Sequence, residues 1–87
     1  MSISVEAVET VLLDFVTKDI LLRKDPIGRD VDLFDAGFDS LSLSRVLVFV
    51  ERQFGVVVPN QDVVIDEIST VASMAAFFHG YIVKTNR

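Results

Sequence analysis

The sequence predicts a small all-α fold: a bundle of three main helices and one short helix, with a long loop after the first helix. Three segments place apolar residues at helical spacing, and a stretch rich in Asp, Gly and Pro separates the first segment from the second. Hydrophobic residues make up 51% of the 87 residues, which is enough for one compact core. We therefore expect a single domain over residues 1–87.

The first helix is predicted from about Ser4 to Lys18, with Ser4 as its N-cap. At helical spacing one arc is apolar and contains Val5, Val8, Val11, Leu12, Phe15 and Val16. The opposite arc is polar and contains Glu6, Glu9, Thr10, Asp14 and Thr17, with Leu13 as the exception. Because Asp19 would fall on the apolar arc, we expect the helix to bend or fray before Leu21 and Leu22.

Residues 23–39 follow no regular period and are predicted to form a long loop, interrupted by Pro26, Gly28 and Gly37. Loops of this length are uncommon in compact domains and are usually functional or disordered. Apolar side chains favour an ordered loop because they can anchor it on the core; they are Val31, Leu33, Phe34 and Phe38.

The second helix is predicted from Ser40 to about Phe54 and ends at Gly55. Its inward arc contains Leu43, Val46, Leu47, Val50 and Phe54. The apolar residues off this arc are Leu41, Val48 and Phe49. They form either a contact surface for another protein or a packing surface for the long loop.

The remaining chain predicts a short helix and a last long helix. Residues 56–58 favour an extended chain, but Pro59 and the lack of partner strands argue against a sheet. A short helix is predicted between Asp62 and Ile68. The last helix is predicted from Val71 to about Val83, with Ser69 or Thr70 as its cap and residues 84–87 frayed. Its inner face contains Val71, Met74, Ala75, Phe78 and Ile82.

Composition excludes several classes of function. The chain contains no cysteine, so it offers no thiol of its own for nucleophilic, redox or zinc chemistry. The single histidine, His79, cannot build a histidine metal site, and we expect a surface or helix-end role for it. The net charge of −5 argues against nucleic-acid binding. No apolar run is long enough to span a membrane and no signal peptide is recognised, so we expect a cytoplasmic monomer.

The most informative segment delivers a serine to the start of a helix; it reads Leu33-Phe34-Asp35-Ala36-Gly37-Phe38-Asp39-Ser40-Leu41. Gly37 can adopt a positive φ. Ser40 would lie where unpaired backbone N–H groups and the helix dipole favour an anionic substituent on its oxygen. The simpler alternative is that Asp39 or Ser40 only caps the helix.

In this context the sequence resembles the acyl carrier proteins, the family of carriers that bear phosphopantetheine. The resemblance covers nearly the whole chain and includes Asp39-Ser40-Leu41, Phe54-Gly55, Val58-Pro59 and Ile68-Ser69-Thr70-Val71. It implies an acyl-carrier-like four-helix bundle in which Ser40 holds a covalent 4′-phosphopantetheine arm. A separate magnesium-dependent phosphopantetheinyl transferase would transfer the arm from coenzyme A, and Asp39 would help it bind the metal and coenzyme A.

The resemblance implies a carrier rather than an enzyme. The thiol of the arm would hold an acyl or aminoacyl group as a thioester. The reactive thiol that the sequence lacks would therefore come from the arm. An acyl- or aminoacyl-activating ligase or synthase would load the arm, and the tether would raise the effective concentration of cargo at partner enzymes. A hydrolase that uses Ser40 is disfavoured, since no base lies near it in sequence.

The charge pattern differs from that of fatty-acid carriers, whose second helix is typically acidic. After Asp39 the next acid is Glu51, while the long loop is rich in Asp. The stretch from Leu33 to Gly37 is similar to the loop of D-alanyl and other freestanding aminoacyl carriers. We therefore expect a specialised pathway rather than housekeeping fatty acid synthesis. The residues expected to contact the transferase or the loading enzyme are Leu41, Arg45, Val48 and Arg52.

The alternative hypothesis is an unmodified interaction module on the same bundle. In that case Leu41, Val48 and Phe49 would be the docking face and Ser40 would serve only as a helix cap.

Overall fold

The structure is a computed structural model that describes residues 3–85, with the side chain of residue 85 excepted. These residues form three α-helices and no strand: α1 is Val5–Phe15, α2 is Ser40–Phe54 and α3 is Val71–Thr85. The all-α bundle is thus confirmed. Two isolated 3₁₀ turns, Asn60–Asp62 and Ile65–Glu67, roughly match the predicted short helix. Of the tail expected to fray, residues 84 and 85 end α3, and residues 86 and 87 lie outside the described range.

The first helix begins as predicted and ends in an unexpected wide turn. The Oγ of Ser4 accepts a hydrogen bond from the N–H of Ala7 at 3.1 Å, which makes Ser4 the N-cap. After α1 the chain continues as a π-helical turn over Val16–Ile20. Leu22 then has a φ of +55°, which ends the helical path where the sequence predicted a break.

The π turn carries Thr17 into the interior. Its side chain is 1% exposed, and its Oγ1 accepts a hydrogen bond from the N–H of Ile27 in the long loop at 3.3 Å. The prediction that Thr17 lies on the polar arc is therefore wrong. The i→i+5 hydrogen bonds of a π turn change the angular spacing of the residues, and the loop covers the hydroxyl that would otherwise face water.

The long loop is fastened to both α1 and α3. The N–H of Leu33 donates to the carbonyl oxygen of Ser69 at 2.8 Å, and the N–H of Ala72 donates to the carbonyl oxygen of Arg29 at 3.0 Å. The guanidinium of Arg29 also forms an ion pair with Glu9 in α1. The loop therefore links α1 and α3, which pack against each other.

Two of the four predicted loop anchors are correct. Leu33 and Phe38 are buried in the core, as expected. Val31 and Phe34 are each 38% exposed, so the prediction that they anchor the loop is wrong. The rings of Phe34 and Phe38 pack edge to face, with their centroids 5.8 Å apart. Ile27, which the sequence did not single out, is buried instead.

The last helix completes the core with the face that the sequence predicted. Every member of that face is buried: Val71, Met74, Ala75, Phe78 and Ile82. Thr70 caps the helix, because its Oγ1 accepts from the N–H of Ser73 at 3.1 Å and its own N–H donates to the Oγ of Ser73. His79 is half-buried, and its Nε2 donates to the carbonyl oxygen of Ile3 at 2.9 Å. No helix among residues 3–85 has the length and apolar character needed to cross a membrane.

Candidate functional site

Ser40 is the first residue of α2, and its neighbour Asp39 is the N-cap. The Oδ1 of Asp39 accepts hydrogen bonds from both the N–H and the hydroxyl of Ser42, each at 2.9 Å. Among the described residues, the Oγ of Ser40 makes no hydrogen bond and its side chain is exposed. Of the two predicted caps, Asp39 is therefore the correct one, and the hydroxyl of Ser40 is available to another molecule.

The start of α2 favours negative charge at this hydroxyl. The N–H groups of Ser40 and Leu41 lie in the first turn of a helix, where they have no intrahelical acceptor. The positive end of the helix dipole also lies at this end of α2. A phosphodiester on the Ser40 Oγ would therefore fit the residues around it without burial or rearrangement.

A tight turn in the loop positions the site. The Oδ1 of Asp32 accepts from the N–H of Phe34 at 3.0 Å, and the N–H of Phe38 donates back to the carbonyl oxygen of Leu33 at 2.9 Å. Gly37 completes the turn with a φ of +109°, a conformation that residues with a Cβ rarely adopt. This turn leaves Asp39 extended and directs the chain into α2.

The substitution Gly37→Ala is expected to destabilise the domain by at least about 1 kcal/mol. A Cβ at this position would meet no atom within 4 Å, so the cost comes from the backbone conformation alone. Gly80→Ala is the matched control, because Gly80 is an exposed position within α3 with equal space for a Cβ. This substitution should stabilise the helix by about 0.5–1 kcal/mol. Urea unfolding measures both; effects of the same sign would contradict the prediction.

Hydrogen bonds hold the Asp39 carboxyl in its charged form. The N–H of Ser42 and, secondarily, its hydroxyl lower the pKa of Asp39 from its ordinary value of 3.8. A carboxyl whose pKa is lower in the folded than in the unfolded state stabilises the fold above the unfolded pKa. That contribution is lost as the pH falls through the folded pKa.

Asp39→Asn is therefore expected to lower the urea midpoint at neutral pH and to have progressively less effect below pH 3.8. Asn retains an oxygen that can cap the helix but carries no charge. Urea titrations of both proteins across the acid range measure the difference. A midpoint difference that does not change with pH would contradict the role assigned to the charge.

The residues predicted to contact partners lie on the exposed side of α2. Leu41 is 71% exposed and Val48 is 48% exposed, and Arg45 and Arg52 are also exposed. An open groove of about 360 Å³ runs beside them; it is lined by Phe15, Ser44, Arg45, Val48, Phe49 and Arg52. The structure thus brings three of the four predicted contact residues together and leaves Leu41 outside the groove.

The groove contains contacts that the sequence did not reveal. The rings of Phe49 and Phe15 are stacked, with their centroids 4.0 Å apart, so Phe49 packs against α1, a contact that neither alternative for this residue included. The Nη1 of Arg45 donates to the carbonyl oxygen of Asp19 at 3.0 Å.

The sequence also did not reveal the hydrogen bonds of Ser42 to Asp39. The signal was present, because a polar residue three positions after an N-cap has the spacing of a capping box.

Comparison with known proteins identifies the family. Residues 11–78 match the family described as the phosphopantetheine attachment site. No curated protein matches the sequence. The matched range spans most of the chain and includes the long loop and α2. Members of this family carry 4′-phosphopantetheine covalently and act as carriers rather than catalysts, and the present chain belongs to this family of phosphopantetheine-bearing carrier proteins.

Proposed function

We propose that Ser40 is the residue that bears the arm, and that the chain delivers an acyl or aminoacyl thioester to the enzymes of a specialised pathway. The observation that carries this proposal is the exposed Oγ of Ser40 at the start of α2, beside a cap formed by Asp39. In the transfer, the Ser40 oxygen loses its proton and bonds to the phosphorus next to pantetheine. The bond from that phosphorus to adenosine 3′,5′-bisphosphate breaks, and the bisphosphate leaves.

The surroundings of Ser40 support a carrier that another enzyme modifies. None of the described residues hydrogen-bonds to its Oγ, which supports activation of this hydroxyl by a separate enzyme. His79 lies in α3 and bonds to Ile3. The charged carboxyl of Asp39 stands next to the hydroxyl and could contribute a ligand to a magnesium ion held by the transferase, which would also offset its repulsion from the incoming phosphate.

The charges of α2 support a specialised pathway. Arg45 and Arg52 are exposed on this helix, and no acid lies between Asp39 and Glu51. A partner with a basic patch would meet like charges on this face. The loading enzyme or the transferase is therefore proposed to contact Leu41, Arg45, Val48 and Arg52. The sequence from Leu33 to Gly37, which resembles the loop of D-alanyl and other freestanding aminoacyl carriers, also supports this proposal.

One observation favours the alternative of an unmodified interaction module: the 71% exposure of Leu41 next to Ser40. Two others weaken it. Phe49, which would belong to that docking face, is half-buried against Phe15. Ser40 is not the cap that this hypothesis requires.

The experiment that tests the proposal is intact-mass analysis of the chain after incubation with coenzyme A, magnesium and a transferase of broad specificity. The expected result is the addition of one arm, located by peptide mapping to the segment that contains Ser40. Omission of magnesium should prevent it. An unshifted mass, or an arm on another segment, would overturn the proposal.

A further inference from the structure

The groove beside α2 carries the opposite charge from the chain as a whole. The net charge of the chain is −5, yet the charged side chains that line the groove are Arg45 and Arg52. Within residues 3–85 neither arginine lies within 4.0 Å of a carboxylate, whereas Lys18 is paired with Asp14 at 2.8 Å and Arg29 is paired with Glu9. The groove therefore presents positive charge that the fold does not neutralise.

The groove is apolar between its two arginines. The stacked rings of Phe15 and Phe49 contribute aromatic surface, and Val48 is 48% exposed beside them. One N–H of the Arg45 guanidinium is used by the carbonyl oxygen of Asp19. This bond restrains the side chain, and the other N–H groups keep the fork geometry that recognises a carboxylate.

A second open groove beside the aromatic stack has acidic side chains in its lining. Its lining includes Phe15, Phe49, Asp14 and Asp19, and of these two acids Asp14 is paired with Lys18 at 2.8 Å. An acidic segment that approaches the stack is attracted by the two arginines of the first groove and repelled by Asp19 in the second. The charges therefore favour an acidic occupant in the first groove.

We infer that this groove receives an acidic segment of the enzyme that loads the arm, with an apolar side chain seated between two carboxylates. The inference rests on the proposed function and adds the chemistry of the partner. The apolar side chain contacts Val48 and Phe49, and the carboxylates bind the arginines, which are two helical turns or about 10 Å apart. Since Arg45 lies about 7.5 Å along α2 from Ser40, the occupant holds its enzyme close to the arm.

The test uses two probe peptides with the same apolar residues, one with Glu and one with Lys at every polar position. They are titrated by NMR into the unmodified, isotopically labelled chain. The Glu peptide is expected to shift the signals of Val48, Phe49 and the two arginine side chains. It should bind at least about tenfold more tightly than the Lys peptide, with an affinity that falls as salt is added.

Charge reversal provides the matched comparison. The double variant Arg45→Glu/Arg52→Glu should reverse the preference and bind the Lys peptide more tightly. The control Arg23→Glu/Lys24→Glu makes the same charge change at exposed loop positions outside the groove and should keep the preference for the Glu peptide. In loading assays with an activating ligase and the modified chain, the first double variant should be slow and the control should not.

Several outcomes would overturn the inference: no binding of the Glu peptide, equal binding of both peptides, or shifts located away from the groove. If the NMR signals of the groove residues shift with the concentration of the chain when no peptide is present, the groove binds a second copy of the chain. If the same signals shift when the arm is attached and no peptide is present, the groove binds the arm. Because the titration uses the unmodified chain, its failure is separate from a failure of arm attachment, which intact mass reports.

Discussion

Ser40→Ala is expected to abolish attachment of the arm and to leave the fold unchanged. The substitution removes the one oxygen that can bond to phosphorus at this position. It removes no cap, because Asp39 accepts the capping hydrogen bonds, and no packing, because the side chain is exposed. We therefore expect the free energy of unfolding to change by no more than about 0.5 kcal/mol. Intact mass after the transferase reaction measures attachment, and urea unfolding measures stability.

The matched control is Ser44→Ala, one helical turn further along α2. Ser44 is also exposed, and the one hydrogen bond of its hydroxyl within residues 3–85 is donated to the carbonyl oxygen of Ser40, at 3.3 Å. This variant should accept the arm as the wild type does. Ser42→Ala is less suitable, because the Ser42 hydroxyl bonds to Asp39. An arm on the Ser40→Ala protein, or a large loss of stability in it, would contradict the assignment of the hydroxyl to modification alone.

Local rules were sufficient to predict the helices and the position of Ser40. The bounds of α2 follow from Asp39 at its start and Gly55 at its end, both of which act on residues next to them in sequence. The buried face of α3 follows from apolar spacing in the same way. The position of the Ser40 hydroxyl at the start of α2 follows from the same local rules, whereas attachment of an arm to it is implied by the family resemblance and stays a prediction.

Contacts between distant segments could not be predicted. The π turn buries Thr17 because a loop residue, Ile27, supplies the hydrogen bond that the hydroxyl needs in the interior. The stack of Phe15 on Phe49 depends on how α1 lies against α2, and no local spacing records that arrangement. The groove exists because of this stack, so the sequence could name its arginines but not its shape.

Leu33→Ala is expected to destabilise the domain by about 3 kcal/mol, within the range of about 2–5 kcal/mol found for buried leucines. Leu33 is fully buried, so the deletion removes apolar contacts and leaves a cavity. Leu22→Ala is the matched control, since the same atoms are removed from a side chain that is 81% exposed, and the change should be within about 0.5 kcal/mol. Urea unfolding measures both, and equal losses would show that Leu33 is not a core anchor.

The same variant links the loop anchor to the attachment site. The carbonyl oxygen of Leu33 accepts from the N–H of Phe38, and Phe38 directly precedes the cap of α2. Loosening of Leu33 should therefore disturb the approach to Ser40 and slow the transferase reaction. A domain of this size has a stability of about 5–15 kcal/mol, so a loss of about 3 kcal/mol leaves most molecules folded. If Leu33→Ala accepts the arm more slowly while it remains folded, and Leu22→Ala keeps the wild-type rate, the slower reaction reports the geometry of the loop rather than the unfolded fraction. Equal rates in both variants would show that the transferase does not depend on this anchor.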